Sequence, residues 1–202
     1  MADLLKGALL LFVMLNPFLL SLYLRDLFED LDAKTFAAVM TRGALIGGAV
    51  FAIFAIGGDR IFSDVLSVRF ASFQIFGGVV FALIGLRYVF QGPAALRELR
   101  GTPEHIAGSI AMPVLIGPGT VSASVMLGAR ASIAQALVAI AITVTVVVVA
   151  VVILKRLYDA VKRRNAALVE RYMDFVGRVS ALVIGTIAVE LVLRGIDAWR
   201  PN

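Results

Sequence analysis

Runs of about 20 apolar residues recur along this chain, and they constrain its fold more than any other feature. They occur near residues 4–24, 35–57, 68–90, 109–129, 132–154 and 174–194. A helix of that length crosses roughly 30 Å of hydrocarbon. Because 60% of the 202 residues are hydrophobic and only 16% are charged, too little polar surface remains to cover a water-soluble core. The sequence predicts an all-α membrane protein with six transmembrane helices in a single transmembrane domain, 1–202.

The Lys and Arg residues are distributed unequally between the two predicted membrane faces. Of 19, six lie on the side of the N-terminus, and thirteen lie on the opposite side, many in the segment LKRLYDAVKRRNAALVERY at 154–172. Short cytoplasmic loops retain positive charge, so both termini are expected outside. The net charge of +5 fits contact with anionic membrane lipid. The basic residues flank spans and form no nucleic-acid-binding motif, so no nucleic-acid partner is expected.

The chain also repeats itself loosely. Pro17 and Pro118 are offset by 101 residues, and Gly92 and Gly195 by 103. This offset divides the chain into repeat one, 1–92, and repeat two, 109–202, joined by a cytoplasmic linker, 93–108. With three spans each, the two repeats are predicted to be inverted relative to one another in the membrane.

The fourth predicted span contains residues that interrupt helices. Pro118 lacks a backbone N–H and clashes with the carbonyl four residues earlier, and Gly117 and Gly119 permit backbone angles closed to other residues. Thr120 is a suitable N-cap for a restarted helix. We therefore predict that helix 4 is broken into two half-helices.

The first span repeats this pattern with Asn16 as the cap and Pro17 at the first helical position. In lipid, the backbone groups freed by such a break cost several kcal/mol each if they stay unpaired. Broken helices 1 and 4 are therefore expected only where protein or a polar cavity satisfies them. The alternative is that both prolines only kink helices packed against their neighbours.

Two half-helix N-termini near the middle of the membrane would form a binding site for a small zwitterion. Their N–H donors and positive dipole ends suit a carboxylate, and the carbonyl ends near Leu15 and Ile116 can accept bonds from an ammonium group. The predicted substrate-binding residues are Asn16, Pro17, Ser21, Gly117, Pro118, Gly119, Thr120, Ser122 and Ser124.

Three segments resemble the MarC family of bacterial and archaeal inner-membrane proteins. They are FQIFGGVVFALIGLRYVF, SIAMPVLIGPGTVSASVMLGA and VGRVSALVIGTIAVELVLRGI, and the resemblance covers essentially the whole chain. It implies six spans with both termini outside, the superfamily of LysE-type amino-acid exporters, and transport of glycine or alanine coupled to protons. The segment NPFLLSLYL departs from the family, because the glycine and second proline that usually follow Asn16-Pro17 are missing.

Ionisable groups inside a membrane are costly and often functional. Glu190 in span six is the candidate for binding a coupling proton, since burial would raise the pKa of its carboxyl. Arg87 is expected to extend to the interface, and Gln74 and Arg42 are secondary candidates. His105, the single histidine, is expected in the solvated loop between the repeats. The Gly47-Gly48 and Gly77-Gly78 pairs are expected to allow close helix packing.

The sequence favours transport over catalysis. It has no cysteine, no histidine in a span and no pair of carboxylates on one membrane face, so an enzyme is not expected. No cofactor or metal is implied. The predicted function is alternating-access transport of a small neutral amino acid; the alternatives are export of another small solute and a membrane scaffold linked to stress.

Overall fold

We analysed a computed structural model, which describes residues 2–92 and 115–200. Every regular element within these two stretches is helical. The helices are α1 (Ala2–Leu15), α2 (Pro17–Tyr23), α3 (Arg25–Asp30), α4 (Ala33–Gly57), a π-helical turn (Ile61–Val65), α5 (Phe70–Gln91), α6 (Pro118–Arg130), α7 (Ile133–Lys162) and α8 (Ala166–Trp199).

Five stretches of the described residues are long and apolar enough to cross a membrane. They are Leu4–Tyr23, Ala33–Gly57, Phe70–Gln91, Ile133–Lys162 and Phe175–Trp199. They correspond to five of the six spans predicted from the sequence. The remaining predicted span, 109–129, lies partly outside the described residues. Residues 115–129 of this span are described, and most of them belong to α6. The predicted linker 93–108, which includes His105, lies wholly outside them.

The charged segment after the fifth span is more helical than predicted. We expected a gap at 155–173, but α7 continues to Lys162 and α8 begins at Ala166. Lys155 is buried, and its Nζ lies 2.5 and 2.7 Å from the two carboxylate oxygens of Asp159, one helical turn later. The Lys155–Asp159 pair partly neutralises the charge for which residues 155–173 were predicted to be a gap between spans. Lysine and arginine are also good helix formers.

Helix α6 lies at the centre of the bundle. It packs against α1, α4, α5 and α7, and every residue from Gly119 to Val125 is buried. At its far end, Gly128 packs directly on the backbone of Ala55 in α4. The first two turns of α6 are therefore enclosed by the surrounding helices.

Helices α5 and α8 form a separate close pair. A Cβ at Gly78 would lie 2.7 Å from the carbonyl oxygen of Ala188, and one at Gly195 would lie 2.9 Å from that of Ala71. The expectation that Gly77-Gly78 allows close packing is confirmed. Gly47 and Gly48 differ, since a Cβ at Gly47 would make ordinary contact with Leu115 and one at Gly48 would meet nothing within 4 Å.

The helix order defines two ends of the bundle. The N-terminal face carries the start of α1, the π-helical turn and the α6–α7 junction. The basic face carries α3, the start of α4 and the α7–α8 junction, where most of the Lys and Arg residues of the described chain lie.

Candidate functional site

The helical run of the first span is interrupted at Asn16. Its φ of 35° lies in the left-handed region, which asparagine tolerates better than most residues. Its Oδ1 accepts a hydrogen bond from the Leu19 N–H at 3.2 Å, and Pro17 occupies the first position of α2. The predicted roles of Asn16 as cap and Pro17 as first helical residue are confirmed. The Leu24 N–H donates to the Leu20 carbonyl and the Phe28 N–H donates to the Leu24 carbonyl. Helical hydrogen bonding therefore continues from α2 into α3.

Helix α6 begins one turn earlier than we predicted. Gly117, not Thr120, is the N-cap residue, and Pro118 takes the first helical position. Thr120 Oγ1 accepts from the Gly117 N–H at 2.9 Å and lies 2.8 Å from the Leu115 carbonyl oxygen. Proline at the first position needs no N–H partner, so the helix starts there and the threonine reaches back from the third position.

Two of the three predicted serines are satisfied within their own helices. Ser21 Oγ donates to the Phe18 carbonyl at 2.6 Å, and Ser124 Oγ donates to the Thr120 carbonyl at 2.8 Å. Ser122 is 3% exposed, and its hydroxyl has no hydrogen-bond partner among the described residues. An unpaired buried hydroxyl costs about 1–3 kcal/mol, so of the three predicted serines Ser122 is the one whose hydroxyl is free to bind a ligand.

The start of α6 lies beside the end of α1. A Cβ at Gly119 would lie 2.7 Å from Met14 Sδ and 2.9 Å from Phe81 Cε2, and Gly77 of α5 packs directly on Pro118. Met14 precedes Asn16 by two residues, so the fold brings the α6 start near the interruption of the first span. Met14 and Phe81 were missed by the sequence analysis, since nothing distinguishes them from other apolar residues of their helices.

The polar residues singled out in the other spans lie in different settings. Glu190 is 54% exposed on α8, and its Oε1 accepts a hydrogen bond from Arg194 Nε at 2.6 Å. The burial that suggested a proton-binding role for Glu190 is therefore absent. Arg42 and Arg87 are exposed, whereas Gln74 is buried in α5.

A charged cluster on the basic face was also missed by the sequence analysis. Glu29 Oε1 in α3 accepts hydrogen bonds from the Tyr158 hydroxyl at 2.9 Å and from Arg25 Nε at 3.3 Å, and it lies 3.7 Å from Lys162 Nζ. Partial burial raises the pKa of the Glu29 carboxyl, but the bonds from Tyr158 and Arg25 and the charge of Lys162 outweigh it, so the net pKa is lowered. Residues 129 positions apart meet here, and no local pattern indicates such a contact.

The whole sequence matches one known family. The match is to the MarC family of integral membrane proteins and extends over residues 1–200. The chain belongs to the MarC family. Membership agrees with the apolar helices described above and establishes a multi-pass integral membrane protein.

Proteins of similar sequence occur in bacteria and archaea. The UPF0056 inner membrane protein YhgN of Escherichia coli is 26% identical over 202 residues, with 98% of each chain covered. A UPF0056 membrane protein of Pyrococcus horikoshii is 27% identical over 137 residues, which cover 67% of this chain and 68% of the relative. A UPF0056 membrane protein of Buchnera aphidicola is 23% identical over 208 residues, with 100% of each chain covered. No solved structure matches this chain.

Proposed function

We propose that this MarC-family protein is a secondary transporter of small neutral amino acids, such as glycine or alanine, with its substrate site at the start of α6. The observation that carries the proposal is the buried, unpartnered Ser122 hydroxyl one turn inside a short helix that begins within the bundle. Side chains in a helix point toward its N-terminus, so this hydroxyl lies on the side of Pro118 and Gly119.

The first turn of α6 supplies the other polar groups of the proposed site. The N–H groups of Gly119 and Thr120 have no acceptor among the described residues, as expected for a first helical turn. Together with the helix dipole they favour a carboxylate. Since Gly119 packs closely against Met14 and Phe81, a ligand with a large side chain would not fit beside it without moving them.

The proposed mechanism is alternating access between two inverted repeats of three helices each. In this scheme helices 1 and 4 of a six-helix bundle are both broken, and one repeat moves relative to the other around the site. The basic face would be cytoplasmic, with both termini outside, in the inner membrane of a bacterium or archaeon. Proton coupling is part of the proposal, with Glu190 as the candidate carboxylate, exposed on α8 in this conformation.

Substitutions at the start of α6 separate transport from a scaffold role, and Ser122 is a better position for them than Gly119. A large residue at Gly119 would collide with Met14 and Phe81, so loss of binding there could reflect damaged packing. Ser122→Ala is cleaner because it removes only the hydroxyl. Ser124→Ala is the matched control, since that buried hydroxyl is already bonded to Thr120 within the helix.

We expect glycine, alanine or serine to stabilise the detergent-purified protein in thermal unfolding. A ligand at 100 times its dissociation constant adds about 2.7 kcal/mol. Ser122→Ala should weaken this stabilisation while leaving the unliganded protein at least as stable, because an unpaired buried hydroxyl is removed. Ser124→Ala should retain the response. Stabilisation by no amino acid, or equal responses in both variants, would contradict the proposed site and favour another solute or a scaffold.

A further inference from the structure

A lateral apolar groove lies between α4 and α7, apart from the proposed substrate site. Its volume is about 550 Å³. The floor is formed by small and branched residues of the two helices, among them Ala44, Gly48 and Ala52 on α4 and Ala141, Val144 and Val148 on α7. Leu45 and Val149 at its edges are exposed, so the groove opens away from the bundle.

The groove provides no polar partner for its occupant. Thr41 and Thr145 line it, but their hydroxyls donate to the carbonyls of Ala37 and Ala141 at 2.8 and 2.7 Å. Because both helices are long enough to span a membrane, this surface faces hydrocarbon. The complementary occupant is an unbranched apolar chain.

The length of the groove matches one leaflet of a bilayer. From Thr41 to Ala52 along α4, a rise of 1.5 Å per residue gives about 16 Å. Half of the roughly 30 Å hydrocarbon thickness is about 15 Å. Because the lining residues from Thr41 to Ala52 lie near the middle of α4 (Ala33–Gly57), an acyl chain from the leaflet at the basic face would enter the groove with its terminal part.

Positive charge lies at the end of the groove nearest the basic face. Arg42 follows the lining residue Thr41, and Arg156 follows the lining residue Val149 by seven residues, two turns along the same side of α7. Lys34 precedes Thr41 by the same spacing on α4. All three side chains are exposed, and none has a hydrogen bond or ion pair to the described residues. Arginine pairs well with phosphate.

We propose that this groove binds one anionic phospholipid, with an acyl chain between α4 and α7 and its phosphate held by Arg42 and Arg156. The site is separate from the proposed substrate site and does not depend on transport. Since α4 and α7 come from different halves of the chain, a lipid bound here contacts both halves.

The test measures thermal unfolding of the detergent-purified protein titrated with dioleoyl-phosphatidylglycerol or dioleoyl-phosphatidylcholine. We expect phosphatidylglycerol to stabilise the protein with an apparent affinity about tenfold higher, or more, than that of phosphatidylcholine, because the two arginines attract its net negative charge. The double variant Arg42→Gln/Arg156→Gln should lose that preference. Arg87→Gln, which changes an exposed arginine on α5 outside the groove, should retain it.

A second variant tests the groove itself. Gly48→Leu places a side chain in the groove, where a Cβ meets nothing within 4 Å, and it should abolish stabilisation by both lipids. Gly185→Leu on α8 is the matched control, because a Cβ at Gly185 also meets nothing within 4 Å. Equal affinities for the two lipids in the unmodified protein would overturn the proposal. An equal rise of the thermal midpoint with glycerol phosphate in place of the lipid would also overturn it. A changed oligomeric mass in Gly48→Leu would overturn it too, because the groove would then be a contact between copies of the chain.

Discussion

At the scale of single residues, the Thr120 hydroxyl holds the preceding segment, 115–117, to the start of α6. It accepts from the Gly117 N–H and lies within hydrogen-bond distance of the Leu115 and Gly117 carbonyls, all of them buried. Thr120→Val removes these bonds with little change of shape and leaves buried backbone groups unpaired. We expect a loss of about 1–3 kcal/mol in the free energy of unfolding, measured by thermal denaturation in detergent.

Thr186→Val is the control for that substitution. The Thr186 hydroxyl also bonds a helical carbonyl, that of Leu182 at 3.0 Å, but it is exposed on α8. Its removal should change stability by less than about 0.5 kcal/mol. Similar losses in the two variants would mean that Thr120 has no special role in forming the start of α6.

At the scale of elements, the close pairing of α5 and α8 depends on Gly78. An alanine Cβ there would lie 2.7 Å from the Ala188 carbonyl oxygen and 3.0 Å from the Val192 nitrogen. These are backbone atoms, so the helices must separate to admit it. We expect Gly78→Ala to destabilise the protein by about 1–3 kcal/mol, measured as a lower thermal midpoint.

Gly185→Ala provides the comparison for Gly78→Ala. Gly78 lies in α5 and Gly185 lies in its partner helix α8, but a Cβ at Gly185 meets nothing within 4 Å. Alanine should therefore leave stability unchanged or raise it by up to about 1 kcal/mol through its helix propensity. If Gly78→Ala were tolerated equally well, helices α5 and α8 would not be held at this separation.

At the scale of the whole molecule, the Glu29 cluster joins the first half of the chain to the second. The pKa of Glu29 is lowered in the folded protein from its usual 4.5. The ionised Glu29 carboxylate therefore contributes its full stabilisation above the unfolded-state pKa. This stabilisation is lost as the pH falls through the lower folded-state pKa. We expect the thermal midpoint of Glu29→Gln to fall less steeply than that of the unmodified protein below about pH 4.5.

Two neighbouring carboxylates, Asp32 and Asp30, affect how that measurement is interpreted. Asp32 also has a lowered pKa, because the Thr35 side chain and the N–H groups of Thr35 and Lys34 donate to its carboxylate, so some acid sensitivity should persist in Glu29→Gln. Asp30→Asn alters an exposed carboxylate that makes no hydrogen bond to the described residues and should keep the original slope. An unchanged slope in Glu29→Gln would mean that the cluster does not contribute to stability.

Much of the architecture follows from the sequence alone, because spanning a membrane imposes length and polarity on each helix. Five predicted spans match helical stretches within a few residues at most ends, and Asn16 and Pro17 take their predicted cap positions. Local steric chemistry determines these features: proline lacks an N–H, and asparagine tolerates a positive φ.

The tertiary structure alone decided which polar groups are free and which residues meet. Ser21, Ser122 and Ser124 are indistinguishable as sequence letters, yet only the Ser122 hydroxyl is buried without a partner. Glu190 lies on the exposed side of α8 with Arg194, because the rotation of a helix depends on the helices packed against it. The contacts of Gly119 with Met14 and of Glu29 with Tyr158 join residues far apart in the chain. Periodicity and capping are local, whereas these contacts depend on how the helices assemble.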